Sequence, residues 1–406
     1  MFEYTSYKDV DLEGKKVLMR VDINSNIDVE NNKLRGSPRI QAIIPSLEEL
    51  EDSAVVVMAH QSRPGRKDFT SLEMHANKIK ELLDRPVKYV DDIFGDEAVH
   101  AIEDLQAGEV LVLDNVRKWD NELTIFDDFS KAQETEMIQT LAPLFDYFIA
   151  EAFGAAHRAQ PSIIGWPTLV AGPIVERELE YMSKILEDPQ RPMAMLIGGA
   201  KAIDKFKAMK YNLENDRIDY ALCAGLTAVL ILEGIGTDTG EPNREAIKED
   251  LEEGEDNIER VYNKYKDKIL LPKDLIIEEN GERKAIGMDE LGEYDEVTGD
   301  IGDKTMDSFE EIMMKCKTII ANGPPGIFEK KVFRKGTFKM AEVMGKATKE
   351  NDALSVIGGG EMGTAATMGG YDNDVSFIST GGGAMLEILS GKDVPLVKAL
   401  REKQPE

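Results

Sequence analysis

Ser355-Val-Ile-Gly-Gly-Gly-Glu-Met-Gly-Thr-Ala-Ala366, followed shortly by Val375-Ser-Phe-Ile-Ser-Thr-Gly-Gly-Gly-Ala-Met-Leu-Glu-Ile-Leu389, is the stretch that decides how this chain is read. Twice in it a short apolar, β-favouring run ends in three consecutive glycines, and an Ala/Met/Leu-rich segment follows. A packed fold gains nothing from triple glycine, because each one costs backbone entropy on ordering. The pattern makes sense where backbone N–H groups must approach a ligand at the start of a helix. There the unpaired amides and the helix dipole favour an anion such as phosphate. Gly358-Gly-Gly360-Glu-Met-Gly363 also carries the letters of a dinucleotide fingerprint, so an enzyme using a nicotinamide cofactor is a competitor. That fingerprint needs an acidic residue about 20 positions on, at the end of the next strand. Here Asp372 and Asp374 precede that strand, which ends in Ser379-Thr-Gly-Gly, and the competitor fails on its second requirement.

Outward from this stretch the same alternation recurs. Short β-favouring runs stand at Lys16–Val21, Ala54–Ala59, Val110–Leu113, Tyr147–Ala150, Met193–Ile197, Asp219–Ala224, Thr318–Ala321, Leu354–Ile357 and Val375–Ile378. Nearly continuous apolar strands alternating with helices imply parallel sheets covered on both faces, with ligands outside the carboxyl ends of the strands. In the first half those ends lead into Asp22 and Asn24, into His60-Gln-Ser-Arg63-Pro64, into Asn115-Val-Arg117, and into Phe153-Gly-Ala-Ala-His157-Arg158. Arg39 follows a looser loop, Arg35-Gly-Ser-Pro-Arg39. Each arginine alone reads as a surface ion pair in a chain with 77 acidic residues. Their repeated position converges cations on one sheet edge, and the planar guanidinium suits phosphate or carboxylate. In the second half the ends carry glycine and lysine: Gly198-Gly199-Ala200-Lys201 with Asp204 and Lys205, then Asn322-Gly-Pro-Pro-Gly-Ile-Phe-Glu329. Lysine supplies a mobile point charge and glycine exposes backbone donors. One half offering arginines and the other glycines and lysines points to two phosphate-bearing ligands.

Between the halves, Gly172-Pro173 punctuates the chain, and Leu179, Met182, Ile185 and Leu186 have helical spacing, stopped at Asp188-Pro189. Residues 237–303 are acidic and read as a solvated face with one or two strands, Ile269–Leu271 among them, and a tight turn at Asn280-Gly281. At 406 residues two domains are expected. The net charge of −28 disfavours nucleic acid and anionic membranes as partners. The opening Met-Phe-Glu-Tyr-Thr-Ser lacks the features of a secretory leader, and no apolar run nears the roughly 18 residues of a membrane span. Cys223 and Cys316 both sit in apolar, strand-like runs and read as buried free thiols, so a cytoplasmic setting is expected. The Walker phosphate-loop sequence and the common hydrolase and zinc motifs are absent.

Taken together these segments resemble phosphoglycerate kinase, in its archaeal branch, over nearly the whole chain and in order. The matching stretches include Arg20-Val-Asp-Ile-Asn24, Arg39-Ile, His60 to Pro64, Asn115-Val-Arg117, Glu151-Ala-Phe-Gly-Ala-Ala-His-Arg158, Gly172-Pro-Ile and Gly198-Gly-Ala-Lys201. They continue through Asp300-Ile-Gly, Asn322-Gly-Pro, Phe328-Glu329, Gly358-Gly-Gly360 and Ser379-Thr-Gly-Gly-Gly383-Ala. The resemblance implies an α/β fold of two doubly wound, Rossmann-like parallel-sheet domains, joined by a connecting helix and closing by a hinge. The expected division is 1–171 for 3-phosphoglycerate, 172–188 for the helix, 189–387 for nucleotide, and a tail, 388–406, returning to the first domain. The implied reaction is reversible, direct in-line phosphoryl transfer between 1,3-bisphosphoglycerate and ADP, giving 3-phosphoglycerate and ATP, with Mg2+ carried by the nucleotide and the enzyme a monomer.

By the same match Asp22, Asn24, Arg39, His60, Arg63, Arg117, His157 and Arg158 would hold the acid substrate. Gly198, Gly199, Ala200, Lys201, Lys205, Asn322, Glu329, Gly358, Gly359, Gly360 and Thr364 would meet the nucleotide. Arg39, Lys201, Gly360 and Gly383 would serve the transferring group, and Glu361 and Asp204 the metal–nucleotide. Glu361 and Met362 replace the family's aspartate and threonine, so this chain has no hydroxyl at 362 for a phosphate. The alternative is a nucleotide-binding protein of the same fold that has lost catalysis.

Overall fold

The computed structural model describes residues 2–187 and 189–405. They divide into two compact units, one of residues up to 180 together with 393–406, the other of residues 181–392. The helix Pro173–Leu186 carries the chain from one to the other, burying Val175, Leu179, Met182 and Ile185. Asp188, the stop signal, lies outside the described residues.

The first unit is built on six parallel strands: Lys16–Val21 (β1), Ala54–Met58 (β2), Val87–Tyr89 (β3), Val110–Val112 (β4), Tyr147–Glu151 (β5) and Val170–Ala171 (β6). Their order is β3-β4-β2-β1-β5-β6. The central strands are apolar throughout because helices cover both faces; Val55, Val56 and Val57 of β2 are all fully buried. Register aligns the outlets: Arg20 pairs with Met58, and Val21 with Glu151. The loops after β1, β2 and β5 therefore emerge at one edge, where the strand order reverses direction. The edge strands β3 and β6 were not expected, since three- and two-residue strands are too short to show a pattern. Asp393–Pro405 completes this unit, with Leu396 donating to the Ala156 carbonyl (3.1 Å) and Leu169 to that of Lys403 (2.7 Å).

The second unit repeats the plan with Met193–Ile197 (β7), Tyr220–Cys223 (β8), Ile269–Leu270 (β9), Thr318–Asn322 and two later strands. Before Thr318 the chain makes a separate antiparallel sheet of Asp274–Glu279 (β10), Glu282–Gly287 (β11) and Asp300–Ile301 (β12). With Thr318–Asn322 as β13, Leu354–Gly358 as β14 and Phe377–Ser379 as β15, the main order is β9-β8-β7-β13-β14-β15, all parallel. Asn322 pairs with both Ile197 and Gly358, and Gly358 with Ser379, so four glycine-bearing outlets share one edge.

Two expectations are corrected here. The acidic segment 237–303 is more than a solvated face with one or two strands. It contains β9, the three-stranded sheet and an 18-residue helix, Lys248–Tyr265, which buries Ile258 and Val261. Its acidic residues hid a helix whose apolar stripe is narrow. Cys316 is not in a strand: it follows the helix Asp303–Met313 and precedes β13, buried and free, whereas Cys223 does lie in β8. Asn280 and Gly281 form the β10–β11 turn, both at positive φ (55° and 81°), as a two-residue hairpin of matching twist requires.

Candidate functional site

In the first unit the strand-end loops enclose a pocket of about 700 Å³ lined by Asn24, Ser62, Arg63, Arg66, Asp68, Leu123, Ile125, Arg117, His157, Arg158 and Gln160. Five of the acid-substrate residues expected from sequence are among them. Their placement is built in locally. Asn24 Oδ1 accepts the Ser62 amide (2.8 Å), tying the β1 outlet to the β2 outlet. Asn115 accepts the Gln61 and Arg117 amides (3.1 and 3.2 Å) and donates to the Gln61 and Thr70 carbonyls (each 2.9 Å). Arg117 Nη1 donates to the Ser62 carbonyl (2.5 Å), and its Nε is buried without a partner. Burial, then the charges of Arg158 and Arg20, bring the Arg117 guanidinium down to about 10, although Glu122 and Asp22 oppose the fall. Such a strained cluster of cations is relieved by an anion.

Asp22, Arg39 and His60 do not line this pocket. Arg39 Nη1 makes an ion pair with Asp22 Oδ2 at 2.5 Å, and Asp22 Oδ1 accepts the Asn24 amide (3.2 Å). His60, only 4% exposed, lies against Arg20. Arg66 was missed by the sequence reading. It is exposed, and among the described residues neither it nor Arg63 has an ion pair or a side-chain hydrogen bond. Its signal was present, three positions beyond Arg63 in the same loop of a strongly acidic chain. The apolar wall of Leu123 and Ile125, 43% and 58% exposed, had no such signal.

In the second unit the edge holds a pocket of about 560 Å³, lined by Gly199, Ala200, Gly225, Leu226, Ala246, Val297–Gly299, Pro324–Ile327, Glu329, Lys330 and Glu361. Most of the lining is apolar or glycine, with Glu329, Lys330 and Glu361 as its charged members. The glycines divide into two kinds, which corrects the view that packing gains nothing from them. A Cβ on Gly198 would strike the Pro324 carbonyl, one on Gly323 the Gly198 carbonyl, and one on Gly382 the backbone of Gly359. These turns touch backbone to backbone, so glycine is a packing requirement. A Cβ on Gly360 would meet nothing, and this exposed residue opens the helix Gly360–Gly369 after Gly359 at φ +100°. Gly383 is likewise exposed in the first turn of Gly382–Leu389. Asn322 Nδ2 donates to the Gly382 carbonyl (3.2 Å) and the Gly198 amide to the Asn322 carbonyl (3.1 Å), locking three outlets together.

Lys201 is the exposed N-cap of the helix Ala202–Glu214, at φ +58°. Lys205, one turn on, is only 6% exposed and donates to the Ala200 carbonyl (2.5 Å). Burial lowers its ammonium to about 8, with Lys201 adding to the fall and Glu361, Asp204 and Asp250 opposing it. Glu361 and Asp204 thus both act on one lysine. Among the described residues no three His, Cys, Asp or Glu side chains are grouped to hold a metal unaided. Two carboxylates acting on one lysine would fit a magnesium ion that arrives on a nucleotide, because that ion keeps waters and phosphate oxygens as ligands. Met362 is fully buried in the core, so position 362 points away from the exposed face. The Thr364 hydroxyl donates to the Gly360 carbonyl (2.5 Å).

The family model for phosphoglycerate kinase matches residues 7–392. The chain belongs to the phosphoglycerate kinase family. It is 38% identical over 408 residues to the phosphoglycerate kinase of Methanothermus fervidus, covering 99% of this chain and 98% of that one. The enzyme of Methanococcus maripaludis is 39% identical over 411 residues, covering 98% of each. The crystal structure of the phosphoglycerate kinase from Pyrococcus horikoshii OT3 superposes with a TM-score of 0.90 at 32% identity, covering 98% of both chains. The two six-stranded sheets are thus the phosphoglycerate kinase fold, and this chain is a phosphotransferase of that family.

Proposed function

We propose that this chain transfers a phosphoryl group between ATP and the carboxylate of 3-phosphoglycerate, reversibly and without a covalent intermediate, in the cytoplasm. The observation that carries the reading is the first unit's pocket, where Arg63, Arg66, Arg117 and Arg158 converge on one space with Asn24 and His157. An acid that bears a phosphate supplies anions for such a set. The nucleotide belongs to the second unit, its base against the apolar lining, its ribose by Glu329, and its phosphates along Gly199, Ala200, Lys201 and the open amide edge at Gly360.

No general base is needed, because the accepting carboxylate is already ionised at neutral pH. What the residues must do is position two reactants and neutralise charge on the group in transit. Arg39, paired with Asp22 in the free protein, supplies a guanidinium that can exchange its carboxylate for a phosphoryl oxygen. Lys201 supplies a mobile ammonium from the nucleotide side, and the amides at Gly360 and Gly383 add fixed dipoles. Mg2+ bound to the nucleotide phosphates, with Glu361 and Asp204 nearby, would neutralise their charge. A coupled assay with ATP, Mg2+ and 3-phosphoglycerate tests the reading: turnover is expected, and nucleotide binding without turnover at any salt concentration would refute it.

A further inference from the structure

Behind the acid-binding pocket runs a buried chain of hydrogen bonds that fixes the proton of His60. Glu122, fully buried, accepts at Oε1 from the Ser162 hydroxyl (2.6 Å) and at Oε2 from the Ser162 amide (3.1 Å). Burial raises its carboxyl, against the pull of Arg20, Ser162 and Arg117. The Ser162 oxygen, having donated its proton, accepts from Arg20 Nε (2.9 Å). Arg20 is 3% exposed, and its Nη1 donates to the Val21 carbonyl (2.5 Å). Its Nη2 meets Nδ1 of His60 at 3.2 Å. A guanidinium has five N–H groups and no acceptor. Nδ1 must therefore present its lone pair, and the imidazole proton must sit on Nε2. Among the described residues Nε2 has no hydrogen-bond partner, and it is not one of the sealed polar atoms.

We propose that Arg20 is a positioning residue that holds His60, two residues before Ser62 of the pocket lining, as the neutral Nε2–H tautomer, an uncharged donor that the acid substrate meets on binding. This rests on the function proposed above. The charged groups acting on His60 are Arg20, Arg117, Arg158 and Arg39, and together with burial they hold the imidazole well below its usual range. The carboxylates that act on Arg20 and Arg117 are engaged elsewhere, Asp22 with Arg39 and Glu122 with Ser162. A protonated His60 would turn an Nδ1–H against Arg20, so the geometry excludes it independently. Four arginines around one substrate would bind any anion; a neutral donor among them adds direction without a further charge that varies with pH.

The chain has four histidines, so the imidazole nitrogens can be resolved by 15N NMR, with His60→Gln assigning the signal. In the free full-length protein His60 is expected as a single Nε2–H tautomer that does not titrate between pH 5.5 and 8, and addition of 3-phosphoglycerate is expected to shift its Nε2–H resonance. A His60 that titrates with a midpoint near 6.5, or carries its proton on Nδ1, would overturn the proposal. Arg20→Met should release the tautomer and make KM for 3-phosphoglycerate pH-dependent, by about tenfold across that range, with Arg20→Lys intermediate. A flat KM profile in a folded Arg20→Met protein counts against it. If the tautomer is fixed but 3-phosphoglycerate leaves the resonance unmoved while turnover is normal, the donor role falls and the kinase reading stands. Absence of turnover with the tautomer fixed sinks the kinase reading instead.

Discussion

Arg63, Arg66, Arg117 and Arg158 bring charge to the first pocket on long side chains, each from a strand-end loop that needs only to end nearby. The second unit's edge works with backbone. Its turns at Gly198, Gly323, Gly359 and Gly382 lie so close that a single methyl group would meet main chain, and its lysines sit on or beneath them. Side-chain sites tolerate loop variation but are costly electrostatically, as the depressed Arg117 guanidinium shows. Backbone sites carry little net charge, yet every turn constrains its neighbour. The two edges should therefore fail differently, and four experiments probe that difference.

The largest effect is expected from Arg39→Ala. Turnover in the coupled assay should fall about 10²–10³-fold, as for loss of one transition-state donor, while ATP affinity by titration calorimetry stays within about twofold. Loss of both together would mean the two edges do not divide the ligands. Next is Gly382→Ala, which forces a Cβ onto the backbone of Gly359. Overpacking of this kind typically costs about 1–3 kcal/mol, so ATP affinity should drop roughly tenfold while 3-phosphoglycerate binding is unchanged.

The third probe is pH. In the folded protein Lys205 loses its proton at about 8, below the unfolded value of 10.5. Its contribution to stability is accordingly present above 10.5 and lost as pH falls through about 8, where a buried charge must be carried. Phosphate binding favours the ammonium, so nucleotide affinity should weaken above pH 8, by up to about tenfold per pH unit, with proton uptake measurable calorimetrically in buffers of different ionisation enthalpy. Lys205→Met should abolish that uptake. The arginine edge should show no comparable change over this range. The smallest effect belongs to Arg66→Ala, which should raise KM for 3-phosphoglycerate about two- to fivefold at low salt and less at high salt, because an exposed charge is screened. An unchanged KM at low salt would remove Arg66 from the site.

Much of this was legible before any coordinates. Eight of the nine strand runs were placed within a residue at each end, because strands buried on both faces must be continuously apolar, as Ala54–Met58 is. At Val375–Ile378 the strand is shifted, running Phe377–Ser379, and Tyr147–Ala150 extends to Glu151, a buried carboxyl that burial raises to about 7. Five of the eleven residues lining the first pocket were named as well, from the cations that follow successive strands of one sheet. Arg20 was quoted only as part of a motif, and nothing in its spacing told that it would be buried behind His60. Val87–Tyr89 and the helix Lys248–Tyr265 escaped because one is too short and the other too acidic for apolar periodicity to stand out.

The order of apolar runs, and the residue types that follow them, determined by sequence alone that this is a doubly wound α/β protein with arginines gathered at one strand-end edge and glycines and lysines at another. That information is local: a strand, its outlet and the helix after it lie within a few residues of one another. Tertiary structure decided which glycines open to free space and which face each other, that Met362 lies in the core, and that Lys205, expected on the nucleotide phosphates, is buried against the Ala200 carbonyl. It alone decided where the His60 proton resides, through Arg20, Ser162 and Glu122, residues up to 142 positions apart. The physical reason is that close packing and hydrogen-bond direction are pairwise properties of side chains and turns that meet only once the sheets have formed.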